Sequence, residues 1–241
     1  VDPGRLLKAD CSFLKEIMYN DRKHRLKGRS MITGGKLITF EGIDGCGKST
    51  QLALLAESLE RDRIPFRLTR EPGGTAVGEA IRKILLTTEH DDMDPLAELL
   101  LFEAARAQLV RDLIRPALAA GELVLLDRFV DSTVAYQGYG RGLGAERVRQ
   151  LNTVATSGLM PHRTFLLDLP AEAAAARVQT GRTDKQDRLD AEGTAFMKVV
   201  RMGYLAIAEQ EPERVTVIDA TESIQTVAAD LYDKLREEIK L

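Results

Sequence analysis

The run Gly42-Ile43-Asp44-Gly45-Cys46-Gly47-Lys48-Ser49 constrains this chain more than any other feature of it. It lies between an apolar run (Lys36–Glu41, KLITFE) and an amphipathic stretch (Lys48–Arg61), which is the setting of a phosphate-binding loop that joins a strand to a helix. Its glycines let the main chain curl until several N–H groups face one anion, and the helix that follows adds the positive end of its dipole. Gly42, Ile43, Asp44, Gly45, Cys46, Gly47, Lys48, Ser49 and Thr50 are therefore the candidate contacts for a nucleoside triphosphate such as ATP. Lys48 is expected to bridge the β- and γ-phosphates, and the Ser49 hydroxyl to ligate Mg²⁺.

The same alternation continues along the chain. Short apolar runs at 66–69, 123–127, 164–169 and 215–218 read as strands, and 75–86, 95–120, 145–156, 171–180, 191–210 and 223–238 read as helices. Asp94-Pro95 has the residue types of an N-cap and a first helical position. Strands separated by helices of this length give right-handed crossovers, and so an α/β fold with a five-stranded parallel sheet covered by helices on both faces. With 241 residues, the simplest arrangement is one domain over 31–241. Residues 1–30 mix charges without an apolar centre and read as a tag, a vector-derived leader or a misplaced start.

Composition narrows the partners. A net charge of -3 gives no bulk attraction to nucleic acid polymers, so any handling of phosphates must rest on locally concentrated basic residues. No segment approaches the roughly 20 apolar residues that span a membrane. Two cysteines, Cys11 and Cys46, are too few for a disulfide framework and favour a reducing, cytoplasmic setting. The polar segment 181–190 lacks apolar periodicity and is a candidate flap.

A triphosphate cradle alone does not choose between a GTPase, an ATP-driven machine and a kinase. Asp127 ends a buried strand, where its carboxylate can organise Mg²⁺ or cap the next helix. Arg128 follows at the carboxyl end of that strand, and Arg70 at the end of another. Two guanidinium groups at two strand ends facing one cradle point to a phosphorylated acceptor rather than to water.

The run Phe40-Glu41-Gly42-Ile43-Asp44-Gly45, the loop Arg70-Glu71-Pro72-Gly73-Gly74-Thr75, the segment 102–106, Asp127-Arg128 and Ala135-Tyr136-Gln137-Gly138 together resemble the bacterial thymidylate kinases, from about Lys36 onward. That resemblance implies the P-loop NTPase three-layer fold, transfer of the γ-phosphoryl group of ATP to thymidine monophosphate (dTMP), and a homodimer joined through long helices. It also implies residue roles. Phe102 stacks on the thymine ring, Arg106 reaches the carbonyl edge of the base, and Thr133 adds a hydrogen bond. Tyr136 crowds the position of a 2′-hydroxyl, with Gln137 beside it. Asp44 contacts the acceptor sugar or its phosphate environment. Arg70, Pro72 and Arg128 surround the acceptor phosphate, with a cis peptide before Pro72, and the loop at Asp219-Ala220-Thr221 reads adenine.

Some family members carry an arginine in the phosphate loop where this chain has Gly45. The charge that meets the transferring group is then expected from a lid over 177–190, with Arg182 as first candidate and Arg177 and Arg188 behind it. Asp184-Lys185-Gln186-Asp187 only mimics the guanine-reading motif of GTPases, because no buried strand precedes it. Cys46, in the cradle beside a helix N-terminus, is a candidate for oxidative blocking of ATP binding. Another nucleoside monophosphate kinase, or a nucleotide-hydrolysing switch, shares the cradle and remains the alternative.

Overall fold

The computed structural model describes residues 34–181, 188–189 and 192–240. Five parallel strands form one sheet: β1 (Lys36–Glu41), β2 (Phe66–Arg70), β3 (Leu123–Asp127), β4 (Arg163–Asp168) and β5 (Val215–Asp219), in the order β2-β3-β1-β4-β5. β1 is central and buried on both faces, which explains why its apolar positions run on instead of alternating. The pleat divides the core. Ile38 and Phe40 of β1 and Leu123 and Leu125 of β3 join the larger apolar cluster, while Leu37, Val124 and Leu126 join a second one with Leu109 and Phe129.

The helices are α1 (Lys48–Arg61), α2 (Ala76–Leu86), α3 (Pro95–Leu109), α4 (Arg115–Ala119), α5 (Val130–Thr133), α6 (Ala145–Thr156), α7 (Ala171–Gly181), α8 (Thr194–Gln210) and α9 (Ile224–Ile239). Local chemistry sets several starts. Thr75 accepts from Gly78 N at 2.9 Å, Asp94 from Leu96 N at 2.9 Å ahead of Pro95, and Ser223 from Thr226 N at 3.1 Å. Each such cap contributes about 1 kcal/mol.

Three expectations change. The long helical run over 95–120 is not continuous: a π turn, Val110–Ile114, separates α3 from α4, just before Pro116, which has no N–H for an α-type bond. The run expected from 191 starts as helix only at Thr194, behind Gly193 at the N-cap. The segment after Arg128 was not expected to be helical, yet α5 leads directly into a π-helix, Val134–Gly140, buried through Gly138. Among the described residues, no helix is long and apolar enough to cross a membrane.

Strand register prepares the site. Phe40 of β1 and Arg70 of β2 both pair with Asp127 of β3, so the loops after these three strands leave from one row at the carboxyl edge.

Candidate active site at the carboxyl edge of the sheet

The loop of residues 42–48 leaves β1 through backbone conformations that glycine takes at low cost. Gly42 has φ +138° and Gly45 φ +84°. A Cβ on Gly42 would meet Leu167 O at 2.5 Å, and one on Gly45 would meet Ala174 O at 2.4 Å. Position 45 is thus closed to an arginine by the backbone of α7. Lys48, only 7% exposed, lies over the loop and donates to Gly42 O at 2.9 Å and Ile43 O at 3.2 Å. Cys46 is 2% exposed, so the oxidation expected of it lacks solvent access in this arrangement. Ser49, in contrast, is exposed at the start of α1.

Arg128 follows β3 with φ +69°, a left-handed conformation that is strained for a side-chain-bearing residue. Its Nη2 donates to Asp44 Oδ1 at 2.6 Å and Tyr136 Oη at 3.2 Å, and its Nη1 to Ser132 Oγ at 3.2 Å and Tyr204 Oη at 3.1 Å. Tyr136 in turn donates to Asp44 Oδ2 at 3.0 Å. Burial pushes the Asp44 carboxyl up, but the charges of Arg128 and Lys48 outweigh it and hold the group well below the usual carboxylate range. Asp44 therefore joins the phosphate loop to the Arg128 side of the site.

A third cluster surrounds Arg106 of α3, which is 1% exposed. Its Nε and Nη2 donate to Glu71 Oε2 at 2.9 and 2.7 Å, Nη2 also to Phe129 O at 3.0 Å, and Nη1 to Glu103, Thr133 and Asn152 at 3.0, 3.0 and 2.5 Å. All five N–H groups are thereby engaged within the protein, so a base carbonyl would have to share or displace one of these acceptors. Phe102, one residue before Glu103, is only partly buried. Burial pushes the Glu71 carboxyl up to about 7 against the pull of Arg106.

Arg70 lies 3.3 Å from Glu79, whose Oε1 also accepts from Gly74 N at 2.9 Å. The Glu71-Pro72 peptide is cis, and Arg82 Nη1 donates to Pro72 O at 2.9 Å. Gln137 is 1% exposed and donates to Glu98 Oε1 at 2.7 Å. Glu98, itself fully buried, also pairs with Arg141 at 3.3 Å and Arg188 at 2.5 Å. Two of the three arginines expected to act from a lid thus have partners within the fold, since Arg177 donates to Ala220 O at 3.0 Å. Arg182, with residues 183–187, lies outside the described residues, as does the leader 1–30.

Asp127 does not cap the next helix, whose N-cap is Phe129. Its Oδ1 is fully buried without a hydrogen-bond partner, a hard anionic oxygen of the kind magnesium takes. Among the described residues no three His, Cys, Asp or Glu side chains converge on a metal position, and magnesium needs no such group when phosphates and waters complete its shell.

Sequence reasoning assigned no role to Glu41, although it stands at the end of β1 directly before the loop. It is fully buried and accepts from Phe129 N at 2.7 Å, Ser132 Oγ at 2.6 Å and Tyr204 Oη at 2.9 Å. Burial, reinforced by Asp131, pushes its carboxyl up to about 7 against the pull of Arg128. A carboxylate closing a largely apolar, buried strand was the signal available.

Residues 40–231 match the family profile described as Thymidylate kinase. A thymidylate kinase from Kosmotoga olearia is 51% identical over 190 residues, covering 79% of this chain and 90% of the relative. One from Desulforudis audaxviator is 49% identical over 203 residues, covering 84% and 90%. Among solved structures, a thymidylate kinase from Ehrlichia chaffeensis superposes with a TM-score of 0.68 at 36% identity, covering 85% of this chain and 99% of that one.

Proposed function

The chain belongs to the thymidylate kinase family and transfers a phosphoryl group from ATP to dTMP, giving dTDP and ADP, and from that premise we propose which of its residues perform each part. The main-chain amides of residues 42–50 and Lys48 hold the triphosphate. Arg128 and Arg70 grip the acceptor phosphate, with Pro72 shaping its loop. Phe102 stacks on the base, while Arg106 and Thr133 face its polar edge. Tyr136 packs against the sugar, and Gln137 holds that wall through Glu98. An oxygen of the dTMP phosphate attacks the γ-phosphorus as the bond to the β-phosphate oxygen breaks, and ADP leaves with that electron pair. The attacking oxygen is already ionised, so no general base is required, and positioning and charge do the work.

The observation that carries this assignment is Asp44, a carboxylate held ionised by Lys48 on one side and Arg128, 2.6 Å away, on the other. Cations assigned to the two phosphate subsites share one anion, which supports a donor and an acceptor phosphate side by side. Ser49 and Asp127 fit Mg²⁺, which when bound with ATP neutralises charge on its phosphate oxygens. With position 45 closed, Arg182 supplies the lid charge over the transferring group. The kinase unit spans 31–241 with its lid at 177–190, in a reducing, cytoplasmic setting. Val77 and Ile84 of α2 and Leu100 of α3, at 49%, 43% and 49% exposure, support pairing of two copies across these helices.

A coupled ADP-release assay comparing dTMP with uridine, guanosine and adenosine monophosphates, together with light scattering for the dimer, tests this reading. Rapid ATP hydrolysis without acceptor, and no diphosphate product with dTMP, would overturn the two-subsite arrangement.

A further inference from the structure

We propose that Glu41 is a positioning residue for Arg128, acting by fixing the direction of two hydroxyl hydrogens and one backbone N–H. Ser132 and Tyr204 each have a single hydroxyl hydrogen, and both hydroxyl oxygens lie within reach of Glu41 Oε2, at 2.6 and 2.9 Å. When ionised, the carboxylate only accepts, and the two hydroxyl oxygens also lie 2.8 Å from each other, so each hydrogen points either to Glu41 or along the Ser132–Tyr204 contact and neither faces Arg128. The lone pairs left over face Arg128 Nη1, which donates to the same two oxygens at 3.2 and 3.1 Å.

The other oxygen, Oε1, accepts the N–H of Phe129 at 2.7 Å. That bond fixes the peptide immediately after Arg128, whose φ of +69° needs outside support. Glu41 therefore sets both the backbone bend and the guanidinium orientation of Arg128 without touching the guanidinium itself. It reaches across the fold to do so, from β1 to the start of α5 and to α8. Asp131, Arg128, Glu71 and Tyr204 are the titratable groups that bear on it.

Glu41→Gln keeps the shape and breaks this polarity. If its amide NH₂ faces the two hydroxyls, they must turn a hydrogen toward Arg128; if it faces Phe129, two donors oppose each other. This inference rests on Arg128 gripping the acceptor phosphate, so Arg128→Ala is measured in parallel. We expect Glu41→Gln to lower kcat/KM for dTMP by about 10-fold or more while the KM for ATP stays within about twofold. Combined with Arg128→Ala, it adds nothing further, because its only route is through Arg128.

Unchanged dTMP kinetics in Arg128→Ala would remove the site reading itself. Impaired Arg128→Ala beside normal Glu41→Gln would sink the Glu41 role alone. A fall in kcat with both KM values intact, or additive losses in the double variant, would show a merely structural residue and overturn the proposal. Should Glu41→Gln not fold, Tyr204→Phe removes one relay hydroxyl: a roughly threefold or greater loss in kcat/KM for dTMP supports the relay, and parental kinetics refute it.

Discussion

Gly45→Ala and Gly47→Ala form a matched pair that tests whether the phosphate loop is closed by α7. Both glycines have positive φ, +84° and +100°, so an added Cβ costs about 1–2 kcal/mol in backbone strain at either position. Their surroundings differ. Around Gly47 nothing lies within 4 Å of the new Cβ, whereas at Gly45 it falls 2.4 Å from Ala174 O and 2.9 Å from Val178 Cγ2. The carbonyl belongs to helix backbone, so relief requires α7 to move, and overpacking of this kind costs about 1–3 kcal/mol more. In a domain of this size about 1 kcal/mol shifts Tm by about 2–4 °C. Thermal unfolding without nucleotide should therefore place Gly45→Ala about 2–12 °C below Gly47→Ala. Equal midpoints, or Gly45→Ala the more stable of the two, would refute the steric argument and reopen position 45 to an arginine.

Three other outcomes follow from the same geometry. Arg128→Lys keeps the charge but loses the fork that holds Asp44, Tyr136, Ser132 and Tyr204, and kcat should fall by about 100-fold or more in steady-state assays. Arg182→Ala should lower kcat with little change in the KM for dTMP, and Gly45→Arg should not restore it; a large KM rise at constant kcat would make Arg182 a binding residue. Glu98→Gln leaves Arg188 and Arg141 without their buried countercharge and should cost about 3 kcal/mol at neutral pH in urea unfolding. Although burial raises the Glu98 carboxyl, bonds from Gln137 and Arg141 hold it below its ordinary 4.5, so its stabilisation is complete above that value and fades as pH falls through the lowered one. The parent should accordingly lose more stability than Glu98→Gln on acidification below pH 4.5.

What the sequence showed of this site was local. The cradle is contiguous, and β1, α1, β3 and α6 were bounded as the structure has them because apolar runs mark the strands and a glycine, Gly47 or Gly144, stands directly before each helix. Arg70 and Arg128 were singled out by their place at strand ends, a matter of topology rather than contact. The helical segment after Arg128 escaped notice because Gly138 and Gly140 disguise a run that burial, not propensity, holds together. Glu41, Glu71 and Asn152 escaped for another reason: their partners lie 88, 35 and 46 residues away, and no periodicity encodes such pairings. Arg106 shows the same limit from the other side. Its position on α3 was legible, but the five acceptors it already serves were not.

The arginines on the acceptor side are each paired with carboxylates, and the geometry of those pairs divides their labour. Arg106 meets Glu71 at 2.7 and 2.9 Å and is 1% exposed, so withdrawing it would strand buried carboxylates at a cost of about 3–5 kcal/mol. It keeps these partners while it faces the base. Arg128 meets Asp44 at 2.6 Å but keeps 17% of its side chain exposed, so it can take an additional anionic partner without abandoning the first. The Arg70 bonds to Glu79, at 3.3 and 3.4 Å, are longer than the 2.7–2.9 Å of a strong charge-assisted contact. Of these pairs it is the one an incoming phosphate exchanges at least cost. With the roles proposed above, such a site holds its cations in place beforehand with carboxylates, and the longest pair, Arg70–Glu79, is the one expected to open to phosphate.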